Sequence, residues 1–158
     1  MSMLFGNIAD YPVGATFDSR KTLQVLGLHL HNQAGVSGKK AEGVRSIVMS
    51  GSYEDDTDNG DTIEYTGPGG NHQTKHQVEH QEWSKGHELL LISLQTQNPV
   101  RVFRGDELDS RYAPTAGYRY DGQYIVTNVE HMAGISGFFL WRFRLERIQG
   151  QPPIPTRW

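Results

Sequence analysis

The sequence predicts an α+β fold: a curved sheet or partly closed β-barrel flanked by one or two short helices. Three observations carry this. Several short segments alternate apolar and polar residues with the period of two that a half-buried strand requires. Only two stretches have helical spacing. The 18 glycines among 158 residues provide for many turns. The length suits one domain with a single core.

In chain order, DSRKTLQVLG (18–27) reads as a short helix, with Asp18 or Ser19 as its cap, Leu23 and Leu26 on one face and Gly27 as its stop. From His29 to Gly43 the chain is rich in small and polar residues and reads as a loop. SIVM (46–49) reads as a buried strand, with Thr62–Tyr65 as its hairpin partner across the Asn59-Gly60 turn. A second helix is expected within His76–Gln95, where Leu89, Leu90, Ile92 and Leu94 crowd together, with Pro99 marking its exit. VRVFR (100–104) and GQYIVTNVE (122–130) read as strands. In the last strand, within 137–147, Phe139, Trp141, Phe143 and Leu145 share one face and Arg142, Arg144 and Glu146 the other. Residues 1–150 are expected to form the domain and the proline-rich 151–158 an extended tail or linker.

The absence of cysteine excludes disulfides, thiolate zinc sites and thiol nucleophiles. No run reaches the roughly 18 apolar residues of a membrane helix, and the start lacks the pattern of a secretory signal. Net charge is −3, which argues against a polyanionic partner. Its distribution softens that. Glu54, Asp55, Asp56, Asp58, Asp61 and Glu64 fall in one loop, and the remaining chain carries 15 basic against 12 acidic residues. Local basic clusters at Lys39-Lys40, Arg101/Arg104, Arg111/Arg119 and Arg142/Arg144/Arg147 are either a phosphate-binding face or a solvated surface.

SGSYEDDTDNGDTIEYTG (50–67) carries the most chemistry. Tyr53 and Tyr65 bracket Asp56, and Thr66-Gly67 follow. Two aromatic faces, a carboxylate and small neighbours suit a flat polar heterocycle: the rings stack and the carboxylate accepts from an exocyclic amine. The same residues also suit a plain hairpin, with tyrosines packing across strands and Asp56 bonding turn amides. As a calcium loop the stretch is poor, with Thr57 and Thr66 at positions that need oxygen-rich ligands. His72, His76 and His80 recur every four residues, which on a helix would make a zinc face, but Gly69-Gly70-Asn71 places the first in a loop. No cofactor or metal is expected. No hydrolase or nucleotide-loop motif is present, and Ser37 and Ser136, among glycines, read as turn residues.

In order, the blocks VGATF, GLHLHNQAGVSG, SIVMSGSYEDDTDNGDTIEYTGPGG, NPVRVFRG, SRYAPTAGYRYDGQY and SGFFLWRFRLER resemble the SRA (SET-and-RING-associated, or YDG) domain across residues 6–148, with the namesake tripeptide at Tyr120-Asp121-Gly122. The spelling GYRYDGQY with LWRFRLER is similar to bacterial members, in which the domain often precedes an HNH nuclease in a modification-dependent restriction enzyme. The resemblance implies a twisted, crescent-like barrel that binds double-stranded DNA carrying 5-methylcytosine, or 5-hydroxymethylcytosine if there is room, and flips the base out. It implies that Tyr53 and Tyr65 sandwich the base, that Asp56 accepts from cytosine N4, and that Thr66 and Gly67, with backbone from Ser50 and Gly51, line the rim. A thumb that fills the vacated stack would place Gln33 at its tip. Lys39, Lys40, Arg45 and Arg119 would serve the DNA backbone. The segment GPGGNHQTKHQVEH is short and lacks the family's Asn-Lys-Arg finger tip, so weak dependence on the opposite strand's methylation is expected, with Asn71, His72, Gln73 and Lys75 left for groove contacts. No residues for phosphodiester cleavage are apparent, so the chain is expected to be a reader rather than an enzyme, with any nuclease beyond Trp158. The expected setting is the bacterial cytoplasm, or the nucleus for a eukaryotic chromatin reader; a metal-dependent structural or sugar-binding domain is the remaining alternative.

Overall fold

The computed structural model describes residues 11–31, 34–72 and 74–158. Eight strands and two helices follow the order β1 (Thr16–Phe17), α1 (Arg20–Val25), β2 (Val36–Lys39), β3 (Gly43–Met49), β4 (Thr57–Asp58), β5 (Thr62–Thr66), α2 (Lys85–Thr96), β6 (Val100–Gly105), β7 (Tyr118–Ala133) and β8 (Phe139–Arg147). The sheet runs β2-β3-β6-β7-β8-β5-β4, with β1 on the first part of β7. The two ends of that path do not pair, so the twisted sheet is a partly closed barrel. Among the described residues, only β3 and β6 pair in parallel.

Local sequence explains the helices. Ser19 caps α1 by accepting from Thr22 N at 3.1 Å, Leu23 is its buried residue, and Gly27 at φ +74° turns the chain away. α2 starts only at Lys85. The helix lies within the expected 76–95 but for one residue, and the stretch before it is irregular because its amides are bound elsewhere: Val78 N donates to Gly70 O and Gln81 N to Phe139 O. Ser84 N donates to His87 Nδ1 at 3.0 Å, closing the first turn. His72, His76 and His80 therefore share no helix face. They bond Glu79, Glu54 and Phe139 N respectively.

The expected pairing of Ser46–Met49 with Thr62–Tyr65 is replaced by two separate arrangements. β3, buried along its whole length, sits between β2 and β6, as an inner strand covered on both faces must. β5 turns back on β4 across Asn59-Gly60 and pairs with β8, placing Tyr65 opposite Phe143. β2 lies inside the stretch read as loop. β7 serves both halves of the barrel. Its register shifts against β6 and again against β8, and Gly122 has φ +101°, so the strand bends as bulged strands do. On β8, Phe143 and Leu145 are fully buried, Trp141 is half-buried, and Phe139 is exposed.

The core holds a charged network as well as aliphatic side chains. Arg104, on β6, is fully buried and donates twice to Asp58, both at 2.8 Å. It also donates to Asp121 at 3.0 Å and to Gly60 O at 3.0 Å. Arg119 holds the other side of Asp121 at 2.5 and 2.9 Å and reaches the Tyr112 carbonyl. Ser110 donates to Asp58 at 2.6 Å, and Tyr124 donates to Gly60 O at 2.5 Å. Two cations face two anions. Burial pushes the Asp58 carboxyl up, but the Arg104 hydrogen bonds and charge, with Ser110 and the Gly60 amide, hold it below the usual value. Burial opposes the Arg104 charge, yet bonding to Asp58 and the fields of Tyr124, Asp58 and Asp121 raise its pKa. After β8 the tail is extended. Gln151 bonds Gln123 N, Ile154 packs on the core, and Arg157 reaches the carbonyls of Asp106 and Leu108.

Replacing Arg104 by Met leaves the Asp58 carboxylate buried without a cation and Asp121 with Arg119 alone, and should cost about 3–5 kcal/mol in urea unfolding. Asp58 has a lowered folded pKa, so its contribution is present above the unfolded value near ~3.9 and lost as pH falls through the folded one. The urea midpoint should therefore drop in acid, and Asp58→Asn should start lower and flatten that limb.

Candidate functional site

A cavity of about 1000 Å³ opens between β2, β3, β5 and the start of α2. Tyr53, Asp56, Tyr65, Ser50 and Gly51 all line it, with Asn71 and Lys75. The chain reaches this arrangement because Gly51, at φ +79°, turns sharply out of β3; a Cβ there would meet Glu107 O at 2.8 Å. Tyr53 is half-buried, and its hydroxyl accepts from Gly69 N at 3.0 Å. Burial raises its pKa. Tyr65 comes from the rigid β5 ladder and is 4% exposed; burial raises its pKa well above the usual value. Both phenols are neutral at physiological pH.

Asp56 Oδ1 accepts from Thr66 N at 2.7 Å. This bond orients the carboxylate and ties the acidic turn to β5. Burial, aided by the charges of Asp55 and Asp58 and opposed by Thr66, pushes the Asp56 carboxyl up to about 7. The other five acids of the loop have structural partners. Asp58 is bound to Arg104, Asp55 accepts from Ile135 N at 2.9 Å, and Glu54 accepts from Gln77 N and Ser136 Oγ, both at 2.8 Å. Glu64 pairs with Arg144 at 3.2 Å, and Asp61 lies 3.9 Å from Arg147.

Thr66 and Gly67 stand behind the cavity wall. Thr66 acts through its backbone amide. Gly67 is packed so tightly on His87 that a Cβ would come within 2.5 Å of the ring. Asn71 lines the cavity, but its amide is bound to Ser52 O at 3.1 Å, bracing the loop. Lys75 is exposed at the rim, whereas Lys39 and Lys40 are exposed away from it, at the end of β2 and just beyond. Two basic residues expected on DNA are turned inward. Arg45 is buried on β3 against Glu42, and Arg119 is held by Asp121 because β7 directs it into the barrel. Gln33 and Gln73 lie outside the described residues.

Several residues that build the site carried no evident signal. Arg20 Nη2, from α1, donates to His31 O at 3.1 Å and to Ala34 O at 2.6 Å. His29 Nε2 donates to Ala34 O at 2.7 Å, while its Nδ1 accepts from Ser46 Oγ at 2.7 Å. Burial drives the His29 pKa down to about 3, so it stays neutral and this tautomer is fixed. These bonds hold Ala34 and Gly35 beside the pocket. A Cβ on Gly35 would overlap the Tyr65 hydroxyl. On the other wall, Gln81 Nε2 donates to Gly67 O at 2.6 Å and Gly69 O at 3.0 Å, and its Oε1 accepts from Trp141 N at 3.0 Å and from His87 Nε2 at 3.1 Å. Burial lowers the His87 pKa to about 4, keeping that ring neutral. Among the described residues no cluster of histidine or acidic side chains is arranged to hold a metal.

The family model described as the SAD/SRA domain matches residues 4–151. A UHRF1-like protein of Cryptococcus neoformans var. grubii is 37% identical over 97% of this chain and 48% of its own length. The histone-lysine N-methyltransferase SUVH4 of Arabidopsis thaliana is 37% identical over 97% of this chain and 26% of its own. The chain thus spans about half the length, or less, of these curated relatives. Among solved structures, the modification-dependent TagI restriction endonuclease is 40% identical with a TM-score of 0.85, over 92% of this chain and 53% of that one. The SUVH5 SRA domain superposes in complex with fully methylated CG DNA (TM-score 0.82, 35% identity) and fully hydroxymethylated CG DNA (0.81, 36%), each over 97% of this chain and 99% of that one. With the barrel, the tyrosine–carboxylate pocket and a family match over nearly its whole length, this chain belongs to the SAD/SRA domain family.

Proposed function

We propose that this chain is a DNA-reading module that recognises 5-methylcytosine, and 5-hydroxymethylcytosine as well, by taking the base out of the duplex into the Tyr53–Asp56–Tyr65 cavity. The observation that carries this is the Asp56 carboxylate, fixed at one oxygen by Thr66 N within a cavity lined by both tyrosines. The second oxygen accepts from cytosine N4, where thymine offers only a carbonyl. Extrusion costs a few kcal/mol of unstacking. Stacking on aromatic side chains returns about 1–3 kcal/mol per contact, and the oriented carboxylate adds the selectivity. In this reading Gln33 enters the vacated stack, while Lys39, Lys40 and Lys75 hold phosphates. The chain serves as the specificity domain of a modification-dependent restriction enzyme acting on bacterial DNA in the cytoplasm, with cleavage chemistry in a separate domain. The likeness to TagI supports that setting; a chromatin reader is the second reading, supported by the UHRF1-like and SUVH4 relatives.

Competition binding with matched duplexes carrying cytosine, 5-methylcytosine or 5-hydroxymethylcytosine, on one strand and on both, tests the proposal. Tyr53→Ala and Asp56→Ala should each abolish the preference for modified DNA. Retention of it by either variant would falsify the pocket.

Proton linkage gives an independent check. The N4 amine requires the ionised carboxylate, and Asp56 in the free protein titrates near 7. Below that pH the protein must shed a proton to bind. Affinity for modified DNA should thus fall by up to about tenfold per pH unit, and Asp56→Asn should remove the dependence along with the preference.

Gly35→Ala pushes a methyl into the Tyr65 hydroxyl. It should weaken modified-base binding by at least about tenfold, the order expected from disturbing one stacking contact, with little change in the urea midpoint.

A further inference from the structure

The protein's positive charge divides by residue type. Each of the ten arginines is engaged with another part of the protein: Arg104 and Arg119 with buried carboxylates, Arg45, Arg142 and Arg144 with glutamates, Arg20, Arg111, Arg147 and Arg157 with backbone carbonyls, and Arg101 buried on β6 with an interaction of its own. Four of the five lysines are different. Lys21, Lys40, Lys75 and Lys85 have no side-chain partner among the described residues. Lys75 and Lys85 are exposed and also border the cavity, so their ammonium groups stand at its rim.

They reach that rim from two braced segments. Lys75 lies in the loop fastened by its own carbonyl to Glu54 N at 2.9 Å. Lys85 is the first residue of α2, and the next residue, Gly86, is packed on Pro68 so closely that a Cβ would lie 2.6 Å from the proline ring. Both lysines are therefore held at fixed stem positions while their ends remain free. Glu107 also borders the cavity, next to Gly51, and is exposed. The rim is thus cationic along the residues after β5 and anionic at the loop after β6.

A base lodged in the cavity remains attached to two phosphodiesters, which must pass over the rim. We propose that Lys75 and Lys85 form a two-point phosphodiester clamp on the flipped nucleotide, and that the strand leaves the cavity over this side and not past Glu107. Lys85 is the new element, since it lies outside every basic cluster evident in the sequence. Compact ammonium groups on flexible stems suit phosphates that move during extrusion, whereas the arginines are fixed in the framework. The clamp reads no base edge, because phosphate contacts position and base contacts specify; it engages only once the base has left the stack.

The proposal rests on the base-flipping reading, but the two fail separately. Binding of the whole chain to plain and 5-methylcytosine duplexes is measured as a function of salt for the wild type, Lys75→Gln, Lys85→Gln and the double variant. Each lost phosphate contact should make the slope of log K against log[salt] shallower by about 0.9, and the double variant by about 1.8. The change should be larger on 5-methylcytosine DNA, whose base is lodged in the cavity, than on plain DNA, and Lys85→Arg should keep the wild-type slope. An unaltered slope in the double variant overturns the clamp. So does an equal loss on plain and modified DNA, which would put the lysines on the general backbone footprint and not on the flipped nucleotide. A wild type that binds both duplexes equally sinks the base-flipping reading instead, while the slopes still decide whether the lysines touch phosphate.

Discussion

The buried Arg104 guanidinium is the constraint on which the rest of the molecule depends. It joins three parts of the chain that are distant in sequence: the β4 hairpin through Asp58 and Gly60, β6 on which it sits, and β7 through Asp121. Burying this charge without partners would be prohibitive, so the fold must bring all of them to it. Asp58 lies two residues beyond Asp56, and the same bonds that neutralise Arg104 therefore anchor the turn that carries the pocket carboxylate. Asp121, central to the tripeptide Tyr120-Asp121-Gly122, is wholly buried between Arg104 and Arg119. That signature belongs to the framework and touches the site only through it.

Around the pocket, close backbone approach matters as much as the side chains that face it. Gly35 leaves space for the Tyr65 hydroxyl, Gly51 for the Glu107 carbonyl, and Gly67 for the His87 ring. Neutral histidines with fixed tautomers clamp both walls, His29 on the side of Ala34 and His87 with Gln81 on the side of Gly67. A pocket built this way is preformed, so less ordering is required when a ligand enters.

Much of the sheet was legible because its strands obey a simple period. β6, β7 and β8 announce themselves by alternation, and α1 by its cap and its terminal glycine. Partners were less legible. Thr62–Tyr65 was expected beside Ser46–Met49 because a turn intervenes, but β5 forms its hairpin with the short β4, and β3 lies between its own hairpin partner β2 and the distant β6. β2 was hidden because VSGK has too few large residues to show a period. The start of α2 stayed open within 76–95 because apolar density does not reveal where amides at 77–81 have already been bound. In the site, Tyr53, Asp56 and Tyr65 were visible as a group, whereas Arg20, His29, Gly35 and Gln81 act through backbone carbonyls and close contacts, which leave no pattern in sequence. Arg45 and Arg119 looked like surface charge because net charge carries no information about burial.

The parallel pairing of β3 with β6 and the antiparallel pairing of β5 with β8 have a consequence for how the molecule comes into being. β3 cannot be completed until residues 100–105 exist, and Glu64 meets Arg144 only across a separation of 80 positions. Such distant closures are slow and are made late. During synthesis, the strand bearing Tyr65 has no fixed neighbour on one side until residues 139–147 have left the ribosome. Recognition therefore waits for β8, and a chain shortened before β8 would lose the strand that holds Tyr65 in place.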